Sequence, residues 1–281
     1  MDMYEAKRRL YAFDDLLRDF PENVMEGSTV AIAHPKSKAL DEFDENRSGI
    51  LMHVGPSRFL ITAGHDVAKF LDDRRPLVLT MRGRQHRPIE LRYEWFQITK
   101  ESEVDLAVAK LHESTVHYIN GVYRYVQLAE LMSKHDPRHD EVTAFYLLIG
   151  FPSAHVFPDQ DGIPCIESWT YRTFRYLGDY LKVKDYDPNI HIIVAYERDS
   201  TSPDGQIVQP LGMSGCGLWY VGNPFSDTVV TVDDVKLVGI QGAWSEMFEY
   251  AKCTWINSVI AIIGDYFPET RPALRAHDMR L

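Results

Sequence analysis

The feature that most limits the architecture open to this chain is a succession of short apolar runs broken by glycine, proline and charged turns. In the first half they cover residues 29–33, 49–54, 58–62, 77–81, 89–96 and 106–111; in the second they cover 143–149, 169–177, 191–196, 217–221, 228–232 and 236–240. Frequent short strands with turns between them argue for a β-barrel or sandwich. The 281 residues, 45% of them apolar, supply material for one large domain or two closely packed halves. Helical periodicity belongs to the ends. Leu10, Phe13, Leu16, Leu17 and Phe20 mark an amphipathic helix over 4–20, stopped by Pro21 and expected to pack outside the barrel body. Ile256, Val259, Ile260, Ile263 and Phe267 mark a second helix near the C-terminus. A short helix is expected over 66–73, charged or polar loops over 41–47 and 198–205, and a linker over 118–140 with a helical piece at 128–133.

One turn stands out chemically. Residues 211–219 read Leu-Gly-Met-Ser-Gly-Cys-Gly-Leu-Trp, so Ser214 lies on a glycine-rich turn just ahead of an apolar strand. Glycine permits backbone conformations that a side chain penalises, so a hydroxyl can project from a tight loop with amide N–H groups beside it. Such a serine is a weak nucleophile unless a histidine takes its proton and a carboxylate orients the histidine. His65 follows the strand-like run 58–62, and Asp105 stands as a lone acid within the apolar run 104–108, where an unpaired charge is costly. The chain order is His, Asp, Ser.

These motifs carry a resemblance. Thr62-Ala63-Gly64-His65, Asp105-Leu106-Ala107-Val108 and Gly212-Met213-Ser214-Gly215 are similar to the three catalytic motifs of trypsin/chymotrypsin-like serine proteases of the bacterial, disulfide-free type. Gly150-Phe151-Pro152 and Val238-Gly239-Ile240 are weaker echoes, and the whole resemblance spans about 28–265. The chain departs from the pattern at Gly64, at Asp66 and at Cys216-Gly217. The resemblance implies an all-β fold of two six-stranded antiparallel Greek-key barrels with N- and C-terminal helices. Residues 1–27 would hold the first helix and 28–281 the peptidase domain, with barrel one at about 28–117, the linker at 118–140, barrel two at 141–250 and the last helix at 254–267. It further implies His65 as base, Asp105 as orienting acid, Ser214 as nucleophile, and the N–H groups of Gly212 and Ser214 as the oxyanion hole. Val208 would lie at the base of the primary pocket, and Gly239, Ile240 and Gln241 on the strand that pairs with substrate. An apolar base disfavours Arg or Lys at the cleaved position and favours an apolar residue.

Rival assignments are weaker. Glu103 precedes the apolar run and is expected to be exposed, Asp66 adjoins His65 on a backbone that points neighbouring side chains apart, and Cys216 lacks a second base. His135 and His139 have a metal-like spacing, but Pro137 between them breaks the helix that would align both rings. No metal or organic cofactor is therefore expected.

A net charge of −11 argues against a nucleic-acid role. Three widely spaced cysteines, no run of about 18 apolar residues, and no signal-peptide pattern make the cytoplasm the expected location and a membrane no partner. The expected partners are a protein or peptide substrate and, if activity is gated, a regulatory protein. The competing expectation is a protease-like fold used as a latent or inactive binding module. An α/β-hydrolase esterase is disfavoured by the order of the three residues.

Overall fold

A computed structural model describes residues 25–35, 43–65, 67–68, 76–80, 88–98, 103–141, 143–158, 164–196, 210–225 and 231–277. The N-terminal helix expected over 4–20, most of the short helix after His65, the 198–205 loop and Val208 lie outside the described residues.

The chain forms two antiparallel sheets. The first contains β1 (Thr29–Pro35), β2 (Phe43–Val54), β3 (Ser57–Thr62), β4 (Val78–Thr80), β5 (Ile89–Glu90), β6 (Tyr93–Ile98) and β7 (Ala107–Leu111), in the order β5-β4-β1-β2-β3-β7-β6. It has seven strands where six were expected. The single run expected at 89–96 is split, and its two pieces occupy opposite edges of the sheet. Only Leu91 and Arg92 join them, a span of at most roughly 11 Å, so this sheet curls until its edges nearly meet. The charged segment expected as a loop at 41–47 is, from Phe43 onward, part of β2. Asn46 and Arg47 pair with Ala33 and Ile32 of β1, and the Asn46 amide is satisfied by the Phe151 carbonyl at 2.6 Å.

The second half builds its own sheet, with a two-stranded hairpin inserted between its first two strands. The hairpin is β9 (Val156–Pro158) with β10 (Pro164–Ile166). The sheet contains β8 (Phe145–Gly150), β11 (Trp169–Phe174), β12 (His191–Ala195), β13 (Gly217–Gly222), β14 (Lys236–Ser245) and β15 (Tyr250–Trp255), in the order β11-β8-β13-β14-β15-β12. Its edges are brought together by a bridge between Arg175 and Val194 and by the Thr173 hydroxyl donating to the Ala195 carbonyl at 2.5 Å. This sheet is curled too. The strand expected at 169–177 ends at Phe174, and Val232 of the strand expected at 228–232 opens a 3-10 turn, Val232–Asp234, with 226–230 outside the described residues.

Alternation along the strands divides the core into three parts. Leu51, Leu60, Ala107 and Ala109 face the inside of the first sheet; Tyr146, Leu148, Leu218, Val238 and Cys253 face the inside of the second. The intervening residues, Ile50, Met52, Phe59, Ile61, Leu147, Ile149, Trp219 and Leu237, form a shared layer between the halves. Strands buried on both faces have no polar side to show, which is why the sequence presents continuous apolar runs.

The 118–140 segment is pinned rather than loose. Val126 exchanges backbone hydrogen bonds of 2.9 Å with Leu51 and His53 of the first sheet, and the Met132 N–H donates to Leu237 of the second at 3.0 Å. Its helical piece is a single 3-10 turn, Leu128–Glu130, and it follows a helix α1 (Glu113–Ile119). Helix α2 (Ile256–Tyr266) buries Ile256, Val259, Ile260 and Ile263 against the shared layer, and α3 (Arg271–Ala276) follows it. Trp255, expected to open the C-terminal helix, instead ends β15. No helix among the described residues is long and apolar enough to cross a membrane.

Candidate active site

The glycine-flanked loop reaches the shape its composition suggests, for a packing reason as well as a conformational one. Gly212 and Gly215 have φ of +91° and +87°. A Cβ at Gly212 would stand 2.6 Å from the Phe151 carbonyl, and one at Gly215 only 2.2 Å from the Ser48 carbonyl and the Thr62 hydroxyl. No L side chain fits either place. The loop is then tied to the first sheet by one residue. The Ser48 N–H donates to the Ser214 carbonyl at 3.0 Å, and its hydroxyl donates to the Gly212 carbonyl at 2.8 Å while accepting from the Phe151 N–H at 2.8 Å. On the other side the Gly215 N–H donates to Gln241 at 2.7 Å, and the Gln241 N–H donates to Cys216 at 2.9 Å. With the Gly212 and Ser214 carbonyls turned inward, their N–H groups make no hydrogen bond among the described residues.

His65 follows β3 and Asp105 precedes β7, and these two strands pair through Thr62 and Ala107. That register brings the residues together although 40 positions separate them. One Asp105 carboxylate oxygen accepts the His65 backbone N–H at 2.7 Å, and the other lies 2.5 Å from ring Nδ1. The same acid therefore holds both the backbone and the ring, engaging the ring at Nδ1. Gly64 packs where a Cβ would come within 2.9 Å of the Leu106 carbonyl.

His65, Asp105, Gly212 and Ser214 all line one cleft of about 960 Å³ that runs between the two sheets. Among the described residues no hydrogen bond joins the Ser214 hydroxyl to His65. Bonds of this kind in unliganded sites are often long and tighten only with substrate. Arg47, Leu211 and the 242–245 segment of β14 complete the neighbouring wall. Gly239, Ile240 and Gln241 are buried and do not line the cleft; Gly242, also buried, and the half-buried Ala243, Trp244 and Ser245 do. The β14–β15 ladder has a register irregularity between Gln241 and Ala243.

The rivals separate clearly. Glu103 is exposed at a turn, and its backbone carbonyl accepts from His191 Nε2 at 2.6 Å. Asp66 lies outside the described residues. Cys216 is fully buried, and burial drives its thiol pKa far above the usual range, which leaves no thiolate to attack anything. His139 is a core histidine, with Nδ1 at 3.2 Å from the Tyr146 hydroxyl and Nε2 at 3.1 Å from the Ser133 carbonyl. Burial lowers its pKa to about 4. Among the described residues no cluster of three or more His, Cys, Asp or Glu side chains is placed to hold a metal ion. Sequence reasoning missed Ser48. Its only signal is a small polar residue just ahead of the apolar run 49–54.

Neither a scan against protein-family models nor a search of curated proteins gives a match to this chain.

Proposed function

We propose that this protein is a serine endopeptidase of the two-barrel, chymotrypsin-like class, acting through His65, Asp105 and Ser214. The observation that carries the reading is the convergence of three parts: a carboxylate bonded to both the backbone and Nδ1 of His65, a serine on a glycine-shaped turn, and a shared cleft. Nε2 of His65 takes the Ser214 proton as the hydroxyl oxygen attacks a peptide carbonyl, then returns it to the departing amine. Asp105 stabilises the imidazolium that forms between those steps. The N–H groups of Gly212 and Ser214 receive the oxyanion, and each such donor contributes about 3 kcal/mol to a transition state of this kind. Water then repeats the sequence on the acyl-enzyme. An apolar residue at the cleaved position remains part of the proposal.

A second reading is favoured by one observation, the missing hydrogen bond between Ser214 and His65 among the described residues. It makes the protein a latent protease-like module that engages the pair only with a partner or substrate. Labelling with a fluorophosphonate probe, read by intact mass, separates the two. A single adduct on the wild type, lost in Ser214→Ala and His65→Ala, supports the peptidase. No adduct on the pure protein removes it as a constitutive enzyme.

A further inference from the structure

The chain as a whole is strongly acidic, with 30 Lys and Arg against 41 Asp and Glu. The described residues that line the cleft are not: they hold four permanent cations, Arg47, Lys182, Lys184 and Lys252, against two carboxylates, Asp105 and Asp185, and Asp105 is committed to His65. Three of these cations gather on one wall. Lys252 stands opposite Ala243 in the β14–β15 ladder, so both side chains lie on the same face, next to the cleft-lining 242–245 segment. Its ammonium donates to the Lys184 carbonyl at 2.9 Å, which joins the strand to the 182–185 turn. Lys182 reaches across the same turn, 5.9 Å above the Phe248 ring and 3.9 Å from Asp179. Lys184 makes no ion pair among the described residues. The nearby Glu246 and Glu249 belong to the adjoining turn but do not line the cleft.

Like charges gathered in a concave wall raise the potential there and favour a ligand of opposite sign. Burial also holds the Lys252 pKa below its ordinary value, with Lys184 acting in the same sense and Asp185 and Asp105 opposing them. An incoming carboxylate relieves that repulsion. We propose that the wall formed by Lys182, Lys184 and Lys252 is a subsite for acidic side chains, so that the cleft takes an extended acidic peptide segment laid along residues 242–245. This deepens the peptidase reading by naming its substrate class. The binding preference itself does not require turnover.

The test uses the full chain carrying Ser214→Ala and two fluorescein-labelled octapeptides, one with three glutamates ahead of a leucine and one with glutamines in their place, read by anisotropy. The glutamate peptide is expected to bind about tenfold more tightly at low salt, the effect of two or three exposed ion pairs, and to lose most of that advantage in 0.5 M NaCl. Adding Lys182→Glu and Lys184→Glu is expected to bring the two peptides to parity, while Lys184→Arg retains the preference and shows that charge rather than folding is responsible. Equal binding of both peptides, binding of neither, or a preference that survives the Lys→Glu changes overturns the subsite. A glutamate preference in a protein that fails fluorophosphonate labelling keeps the subsite and removes the peptidase, so the two failures are distinguishable.

Discussion

Asp105 grips His65 at two points, the backbone N–H at 2.7 Å and ring Nδ1 at 2.5 Å. Because one carboxylate fixes both, replacing it with an amide has a specific consequence. Asp105→Asn can still accept from the backbone, but its NH₂ faces Nδ1 and favours the tautomer with the proton on Nε2, which cannot receive one from Ser214. The rate of fluorophosphonate labelling is expected to fall on the order of 10⁴-fold with little change in the circular dichroism spectrum. A loss below about tenfold would show that Asp105 does not orient the base.

Ser48 predicts a coupled effect on stability and reactivity. In Ser48→Ala the Gly212 carbonyl and the Phe151 N–H lose their shared partner in a buried setting. Each unsatisfied group costs about 1–3 kcal/mol, and the serine loop loses one of its ties to the first sheet. Urea unfolding is expected to show a destabilisation of about 2 kcal/mol or more, and labelling of Ser214 is expected to slow. Unchanged stability would mean that the hydroxyl is not the strut it is taken to be.

Gly215→Ala is the harsher test of the loop. It combines a φ of +87° with a Cβ placed 2.2 Å from two first-sheet oxygens, one of them backbone. The expected cost is about 3 kcal/mol or more, because neither strand can withdraw without breaking its ladder. Thermal unfolding should report it directly.

Cys216 and Cys253 are both fully buried, and burial raises both thiol pKa values. Iodoacetamide at pH 8 is expected to leave both unmodified in the native protein and to modify both in urea, as read by peptide mass. Native modification of Cys216 would reopen its candidacy as a nucleophile.

His139 makes stability pH-dependent. Its folded pKa is about 4 against an ordinary value of 6.5, so the unfolded chain takes up a proton that the folded one refuses. The stability it permits is present above the unfolded pKa and is lost as pH falls from about 6.5 towards about 4, by roughly 2–3 kcal/mol in total. Urea midpoints at pH 7 and pH 5 measure the slope, and His139→Gln should flatten it. A midpoint that rises on acidification would contradict the assignment.

Much of the candidate site is legible without coordinates, because its chemistry is written in local motifs. Glycines on either side of Ser214, the acid opening an apolar run, and a histidine ending a strand each have a local physical meaning. The elements that went unread are those whose meaning is not local. Strand β15 alternates Ala251, Cys253 and Trp255 with Tyr250, Lys252 and Thr254, and the small or polar members weaken the apolar signal that marks its neighbours. The hairpin β9–β10 and the helix α1 are too short for periodicity to stand out. The run at 89–96 reads as one strand because nothing local shows that its halves pair with different edges.

By itself, the sequence determined the β character, the alternation that sorts side chains into three core layers, and the histidine, aspartate and serine whose chemistry a base, an orienting acid and a nucleophile would need. Tertiary structure decided the rest: that β3 and β7 pair in the register joining His65 to Asp105, that Ser48 anchors the serine loop from the other sheet, and that the half-buried end of β14, from Ala243 opposite Lys252, lines the cleft. The reason is physical. Side-chain chemistry and strand periodicity act over a few residues and are encoded where they act. Register, close approach and the gathering of charge around a cleft instead depend on contacts between segments far apart in the chain.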